Sequence, residues 1–154
     1  MKKVLHTLVA SGGILLHGSS SKFDEVHPHY TDNELAICAT PFPEIAITMA
    51  VLRSCGLGQR GYTASINKNS CNLVISVCEK VLADLLYKNP VGYVYALDAS
   101  YFLEKRDAFE YRAYNSLYVQ QCMRVTKAHL PFFPIEGQTS YKVPLNRSLA
   151  NLVN

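Results

Sequence analysis

The chain has 154 residues, of which 49% are hydrophobic and 18% are charged. This composition excludes a disordered protein, and the length is that of a single domain spanning 1–154. The formal net charge of +3 suits an anionic ligand or a nucleic acid, but it excludes the strong basicity of a dedicated nucleic-acid binder.

The first third of the chain is predicted to form short strands around a polar loop. Gly12-Gly13 interrupts the chain, and residues 14–17 then form an apolar strand that ends at Gly18. Residues 19–34 are polar and predicted to be a surface loop, whereas residues 35–39 form a second strand. The candidate residue His17 therefore lies at the end of a buried strand.

A helix is predicted to begin directly after Thr40. Thr40 can cap it, Pro41 fits the first helical position, and Glu44 lies in the first turn, where the helix dipole favours an anion. Apolar residues then recur at helical spacing, so one face of the helix is expected to pack on a sheet. Gly56 is expected to end the helix, and residues 55–61 to form a mobile loop that lacks the lysine and hydroxyl of a Walker phosphate loop.

The remainder of the chain is predicted to be rich in strands. Strands are expected at 62–66, 73–77, 92–97 and 123–125, and a helix at 79–87. A charged turn at 104–107 leads to a strand that carries Glu110 at its head, and Phe132-Phe133-Pro134 is expected to pack on the core. Strands with two helices between them, without regular βαβ alternation, predict an α+β domain.

Glu110 is the first candidate functional residue. The two-residue repeat of a strand puts Glu110 and Arg112 on the same face. A carboxylate held by a strand can be aimed at a ligand, whereas ordering one on a loop costs about 1–2 kcal/mol per residue. The alternative is that Glu110 only pairs with Arg112 on a solvated face.

Cysteine and histidine usage indicates neither disulfides nor a metal. The five cysteines are an odd number without a CxxC pair, so we expect reduced thiols in a cytoplasmic protein. His27 and His29 form a His-x-His pair without a third ligand nearby, so we expect no metal.

The N-terminal segment begins like a secretory signal, but His6 and Thr7 interrupt its apolar run, so we expect no signal peptide. No apolar stretch is long enough for a membrane-spanning helix.

Three stretches in order resemble the ADP-ribosyltransferase superfamily of the poly(ADP-ribose) polymerase and diphtheria-toxin type. Residues 15–19 are similar to that family's strand ending in His-Gly-Thr or His-Gly-Ser, and residues 37–50 to its strand, small residue and Ala-rich helix. Residues 110–115 with Val119-Gln120 resemble its Glu-Tyr-x-x-Tyr-Asp strand and trailing Gln-Val. The resemblance covers about residues 14–125 and implies a split antiparallel β-sheet core with a few flanking helices.

The resemblance implies an enzyme that breaks the nicotinamide–ribose bond of its co-substrate NAD. Glu110 would bind the ribose 2′-hydroxyl and stabilise the positive charge that develops on the ribose. The backbone of Gly18 would pair with the nicotinamide amide, which requires close approach and therefore no side chain. His17, supported by Ser19, would hold the adenosine ribose.

One feature of that family is missing. The tyrosine that stacks on nicotinamide has Ile37 and Thr48 at the comparable positions, which leaves Tyr62 and Phe42 as candidates. Because the chain has no room for the regulatory domains of polymer-forming members, a single transfer of ADP-ribose to a protein or nucleic acid is expected. By analogy with compact members, the protein is a toxin or effector.

Four alternatives stay open. Transfer to water would make the protein an NAD glycohydrolase, and an RNA 2′-phosphotransferase shares the fold but relies on several arginines rather than a glutamate. A catalytically silent module that binds ADP-ribose or a partner is favoured by the missing tyrosine and opposed by the presence of His17 and Glu110. A cysteine hydrolase using Cys38 or Cys55 lacks a recognisable nucleophile motif.

Overall fold

The structure is a computed structural model that describes residues 2–10 and 12–151. The described residues form three α-helices: α1 Lys2–Ala10, α2 Pro43–Arg53 and α3 Glu79–Tyr87. They also form the strands β1 Ile14–Ser19, β2 Glu25–Val26, β3 His29–Thr31, β4 Glu34–Ala39, β5 Tyr62–Asn67, β6 Asn72–Val77, β7 Val91–Asp98, β8 Glu104–Lys105, β9 Tyr111–Ala113, β10 Leu117–Tyr118, β11 Gln121–Thr126 and β12 Ser140–Pro144. The predicted α+β class is confirmed. None of these helices is long and apolar enough to cross a membrane.

Within the described residues, antiparallel strands form four sheets. The first sheet has the order β1-β7-β11, the second β3-β4-β9-β8 and the third β12-β6-β5, while β10 and β2 form a separate pair. Leu16 and Thr40 join the first two sheets, because each donates its N–H to the carbonyl of the other at 2.9 Å. This link places the end of β1 beside β4, where His17 meets Cys38.

Helix α2 packs on the first sheet so closely that glycine is required beneath it at two positions. A Cβ on Gly18 would lie 2.2 Å from the Ala46 carbonyl oxygen, and a Cβ on Gly92 would lie 2.3 Å from that of Ala50. Both distances are far inside van der Waals contact, and the obstacle is helix backbone, which cannot move aside as a side chain can. The two glycines therefore set how closely the helix approaches the sheet.

The packing of α2 differs from the predicted amphipathic helix. Almost every residue of α2 is buried, including Glu44 and Thr48. Apolar residues of α1, α3 and the third sheet share its core cluster, so the helix is covered on the side away from the first sheet as well. Helix α2 is thus a central core helix, and its last residue, Arg53, is only partly buried.

Side-chain alternation along β1 divides the core into two clusters. Leu16 packs with α2 in the larger cluster, whereas Leu15 packs with Ile37 and Ala113 of β4 and β9 in the smaller one. His17 follows the alternation to the same face as Leu15 and is only 5% exposed. A polar imidazole is therefore buried in a strand whose preceding residues, Ile14 to Leu16, are all apolar.

Most predicted elements are confirmed. The strands expected at 14–17, 35–39, 62–66, 73–77, 92–97 and 123–125 correspond to β1, β4, β5, β6, β7 and β11, and the helix expected at 79–87 is α3. The prediction for the start of α2 was wrong by two residues. Phe42 is the residue before the first turn, and Pro43 rather than Pro41 occupies the first helical position. Thr40 instead accepts a hydrogen bond from the Phe42 N–H at 3.2 Å.

Other boundaries also differ from the predictions. Helix α2 ends at Arg53 rather than Gly56, and the segment expected to be a mobile loop contains a 3₁₀ helix, Gly58–Gly61. The loop expected at 19–34 carries β2 and β3, and the turn expected at 104–107 carries β8. Helix α1 and strands β10 and β12 were not predicted. Phe132 packs on the core and stacks on Tyr141, but Phe133 is 82% exposed.

Candidate functional site

Two adjoining cavities contain most of the predicted site residues. The first, of about 300 Å³, is lined by His17, Gly18 and Glu110, among others. The second, of about 470 Å³, is lined by Ser19 and other residues of the segment after β1. His17 and Arg53 line both cavities and therefore lie at their shared border. Residues from stretches far apart in the chain thus meet in one place.

His17 is fixed in one orientation and one protonation state. Its Nδ1 lies 2.7 Å from the carbonyl oxygen of Cys38, and because a carbonyl only accepts, Nδ1 carries the proton. Burial lowers the pKa of His17 to about 4 against the opposing effect of this hydrogen bond, and the charge of Arg53 lowers the pKa further. The ring is therefore neutral at neutral pH. Its Nε2 has no hydrogen-bond partner among the described residues and is free to accept one.

Glu110 lies one residue before β9, so the prediction that it sits on a strand was wrong. Its backbone is nevertheless held in a tight turn: its carbonyl accepts from the N–H groups of Arg106 and Asp107 at 3.0 and 3.3 Å. Its own N–H donates to the Asp107 carboxylate at 3.0 Å. Short local hydrogen bonds therefore fix Glu110 in place of a strand ladder.

Glu110 pairs with Arg112, as the alternative drawn from the sequence expected, but Arg112 is buried rather than solvated. Arg112 donates from Nε and Nη2 to the Oε2 atom of Glu110, at 3.3 and 3.2 Å. The side chain of Glu110 is 40% exposed, but that of Arg112 is only 1% exposed, so the pair is not on a solvated face. Both N–H groups of Arg112 donate to the same oxygen, Oε2. The other carboxylate oxygen of Glu110, Oε1, has no hydrogen-bond partner among the described residues.

Arg112 also binds two acidic residues of the hairpin that joins β3 and β4. It donates to Glu34, and to Asp32 at 2.5 Å. Burial disfavours its charge, but the hydrogen bonds to Glu34 and Asp32 outweigh burial and raise the pKa of Arg112. The hydrogen bond from Arg112 in turn lowers the pKa of Glu34. Arg112 is therefore a permanent buried cation that ties Glu110 to the second sheet.

The candidates for an aromatic platform lie in different environments. Phe42 is fully buried and lines neither cavity, and its ring stacks on that of Phe109 with the centroids 5.1 Å apart. Phe109, which is not among the residues predicted from the sequence, lines the first cavity. Tyr62 lines neither cavity, but its hydroxyl binds two lining residues: it donates to the Met49 sulfur at 3.3 Å and accepts from Arg53 at 3.2 Å.

Gly18 lines the first cavity, but its lack of a side chain has a second reason beyond access to a ligand. The atom that a Cβ would strike is the Ala46 carbonyl oxygen of α2, so glycine is required there by packing alone. The two positions compared with the missing tyrosine, Ile37 and Thr48, are fully buried and line neither cavity. Neither position is available to a ligand.

The thiols are poorly suited to nucleophilic catalysis. Burial raises the pKa of the Cys55 thiol to about 11, and burial followed by the charge of Glu110 raises that of Cys38. A thiol that stays protonated at neutral pH is a weak nucleophile, which argues against a cysteine hydrolase.

Among the described residues, no group of three or more His, Cys, Asp or Glu side chains is arranged to hold a metal ion. His27 instead lies 2.7 Å from the hydroxyl of Ser116.

The site thus combines three kinds of polar group around one pair of cavities. Glu110 supplies a carboxylate, His17 a neutral imidazole and Arg53 a cation, while Phe109 and Met49 supply apolar lining. No protein-family model, curated protein or solved structure matches the chain.

Proposed function

We propose that the protein is an NAD-dependent mono-ADP-ribosyltransferase with the split-sheet fold of that superfamily. The observation that carries the proposal is that His17, Gly18 and Glu110 line one cavity. These residues belong to the first and third stretches that resemble the superfamily. Two chance matches have no reason to converge on the same cavity, so their convergence supports a common function.

The size and polarity of the two cavities fit NAD. Pockets that bind cofactors and small ligands have volumes of about 300–1,000 Å³, and the two cavities, of about 300 and 470 Å³, adjoin at His17 and Arg53. Such pockets are mostly apolar with a few polar groups that fix orientation, which describes the first cavity. A dinucleotide that spans both would present its nicotinamide ribose to Glu110.

Each polar residue has a role in this proposal. Glu110 accepts a hydrogen bond from a ribose hydroxyl through its unpartnered Oε1, and its negative charge stabilises the cationic ribose of the transition state. Arg112 positions Glu110 by holding Oε2. His17 accepts a hydrogen bond from the second ribose at Nε2, because Nδ1 is committed to Cys38. Bound NAD supplies nicotinamide as the leaving group and the ribose carbon that the acceptor attacks.

Phe109 replaces Phe42 as the aromatic residue that we assign to the nicotinamide. One face of its ring is covered by Phe42, and the residue lines the cavity beside Glu110. Offset stacking on an aromatic ring contributes about 0.5–1.5 kcal/mol beyond the burial of area. Tyr62 remains a candidate that acts through Arg53, which its hydroxyl binds.

One observation favours a second candidate function, a catalytically silent module that binds ADP-ribose. The ion pair of Glu110 with the buried Arg112 would be retained for stability even if Glu110 took no part in catalysis. On that account the cavities bind the ligand, and the carboxylate only ties the segment before β9 to the hairpin of β3 and β4. The two candidates differ in whether nicotinamide is released.

Release of nicotinamide from NAD by the purified protein, with and without cell lysate, tests the proposal. We expect release that increases when lysate supplies a protein or nucleic-acid acceptor, as for a toxin or effector acting in the cytoplasm. Release that is unchanged by lysate would indicate transfer to water and an NAD glycohydrolase. Binding of NAD without release would favour the silent module, and absence of NAD binding would contradict the assignment.

A further inference from the structure

Arg53 is a partly buried cation that has no counter-ion among the described residues. Its Nε donates to the Tyr62 hydroxyl at 3.2 Å and its Nη1 to the Gly18 carbonyl at 3.5 Å, and both acceptors are neutral. None of the ion pairs among the described residues includes Arg53. Taking a charge out of water is costly unless it is paired, so an arginine in this position is suited to a ligand that supplies the negative charge.

The other arginines near the site show that this arrangement is specific to Arg53. Arg112 binds three carboxylates, and Arg106 binds Glu34 and Glu104. Arg60, seven residues after Arg53, is exposed and lines neither cavity. Arg53 thus lines both cavities, and no carboxylate in the described part of the chain pairs with it.

The second cavity has the lining expected of an anion site. None of the residues that line it is Asp or Glu. Its lining includes three consecutive serines, Ser19 to Ser21, and Gln59, whose hydroxyl and amide groups can donate hydrogen bonds to oxyanions. The first cavity, in contrast, is lined by the carboxylates of Asp107 and Glu110. Repulsion from these carboxylates favours an anion on the other side of Arg53, in the second cavity.

We propose that Arg53, with the serine and glutamine side chains of the second cavity, binds the diphosphate group of a dinucleotide. The planar guanidinium offers paired N–H donors that match the geometry of phosphate oxygens. The inference rests on the proposed function, because it assigns the part of NAD that joins the ribose beside Glu110 to the adenosine. It adds that affinity depends on a residue outside the stretches that resemble the superfamily.

Calorimetric titrations with ADP-ribose and with adenosine test this assignment, because only ADP-ribose carries the diphosphate. The variants are Arg53→Gln, which removes the charge, Arg53→Lys, which keeps it, and Arg60→Gln as the matched control. We expect Arg53→Gln to weaken ADP-ribose binding at least tenfold with adenosine binding unchanged. Arg53→Lys should recover part of the loss, and Arg60→Gln should bind ADP-ribose like the wild type. Inorganic pyrophosphate should displace ADP-ribose from the wild type but not from Arg53→Gln.

The outcomes separate this inference from the proposed function. Equal ADP-ribose affinities for the wild type and a folded Arg53→Gln would overturn the diphosphate site even if nicotinamide is released. Failure of the wild type to bind ADP-ribose would also overturn it. If ADP-ribose binds through Arg53 but NAD is not cleaved, the diphosphate site stands and the transferase proposal fails. Thermal unfolding of each variant shows whether it is folded, and Arg53→Lys supplies the comparison if Arg53→Gln is not.

Discussion

The buried imidazole of His17 should make the stability of the protein depend on pH. Burial lowers the pKa of His17 from about 6.5, its value in an unfolded chain, to about 4 in the folded protein. Between these two values the unfolded chain binds a proton that the folded protein does not. Stability contributed by the neutral ring is therefore fully present above about pH 6.5 and is lost as the pH falls towards 4.

The size of the effect follows from the two pKa values. A tenfold difference in proton affinity corresponds to about 1.4 kcal/mol, so the full difference is worth about 3 kcal/mol. Most of it is expected within an accessible range: lowering the pH from about 7.5 to 5 should reduce the free energy of unfolding by about 2 kcal/mol through His17 alone. Solvent screening does not reduce this value appreciably, because His17 is only 5% exposed.

Urea denaturation of the wild type and of His17→Gln at both pH values measures this effect. Other titrating groups act in both proteins, so the contribution of His17 is the difference between the two declines. We expect the wild type to lose about 2 kcal/mol more than His17→Gln. Parallel declines would refute the reasoning, because they would mean that the imidazole is protonated as readily in the folded protein as in the unfolded chain.

Three further changes test the packing and the site. Gly92→Ala should lower the free energy of unfolding by about 3 kcal/mol, because its Cβ would strike the backbone of α2, whereas Gly56→Ala would meet only side-chain atoms of Lys80 and Asp84 at ordinary contact distance; equal effects in thermal unfolding would contradict this packing. Arg112→Met should cost about 2 kcal/mol, because it removes the buried cation that binds Asp32, Glu34 and Glu110, whereas Arg106→Met, which removes an exposed arginine, should cost clearly less; equal losses in urea denaturation would argue against the structural role of Arg112. Phe109→Leu should weaken NAD binding by about 1 kcal/mol in calorimetry, and an unchanged affinity would contradict the stacking role assigned to Phe109.

Elements with strong local patterns were predictable from the sequence. Helix α3 has Val81, Leu82 and Leu85 on one buried face and ends before Pro90, so periodicity and a helix breaker both mark it. Strand β7 is a continuous apolar run of the kind found in a central strand, and it pairs with β1 on one side and β11 on the other. These signals are local and need no knowledge of the partner.

Elements that depend on distant partners were missed. An isolated helix of nine residues is marginal in water, and α1 forms where Leu5 and Val9 are buried in the core and His6 lies 2.8 Å from the Glu44 carboxylate. Strand β2 has only two residues and exists because it pairs with β10, far along the chain. The two residues of β2 are too few to show a periodic pattern, whereas Leu5, Leu8 and Val9 of α1 do recur at helical spacing, but over a run too short to predict a helix by itself.

The candidate site was predictable in part. The motif residues His17, Gly18 and Glu110 line one cavity, but Phe42 is in the core and Phe109 takes its place beside the cavity. The importance of Arg53 was not predictable, because an arginine in the last turn of a helix is ordinary. The role that we propose for it rests on the lack of a carboxylate partner within residues 2–10 and 12–151, which is a property of the fold rather than of the local sequence.

The most direct test of the central claim compares NAD turnover by the wild type, Glu110→Gln and Glu104→Gln. Glu104 is a carboxylate of equal length on β8 that lines neither cavity, so it is the matched control. If Glu110 stabilises the transition state, Glu110→Gln should lower turnover at saturating NAD by about 100-fold or more while NAD affinity stays nearly unchanged. Glu104→Gln should turn over NAD like the wild type. Turnover by Glu110→Gln at the wild-type rate would contradict the assignment of Glu110 as the catalytic residue.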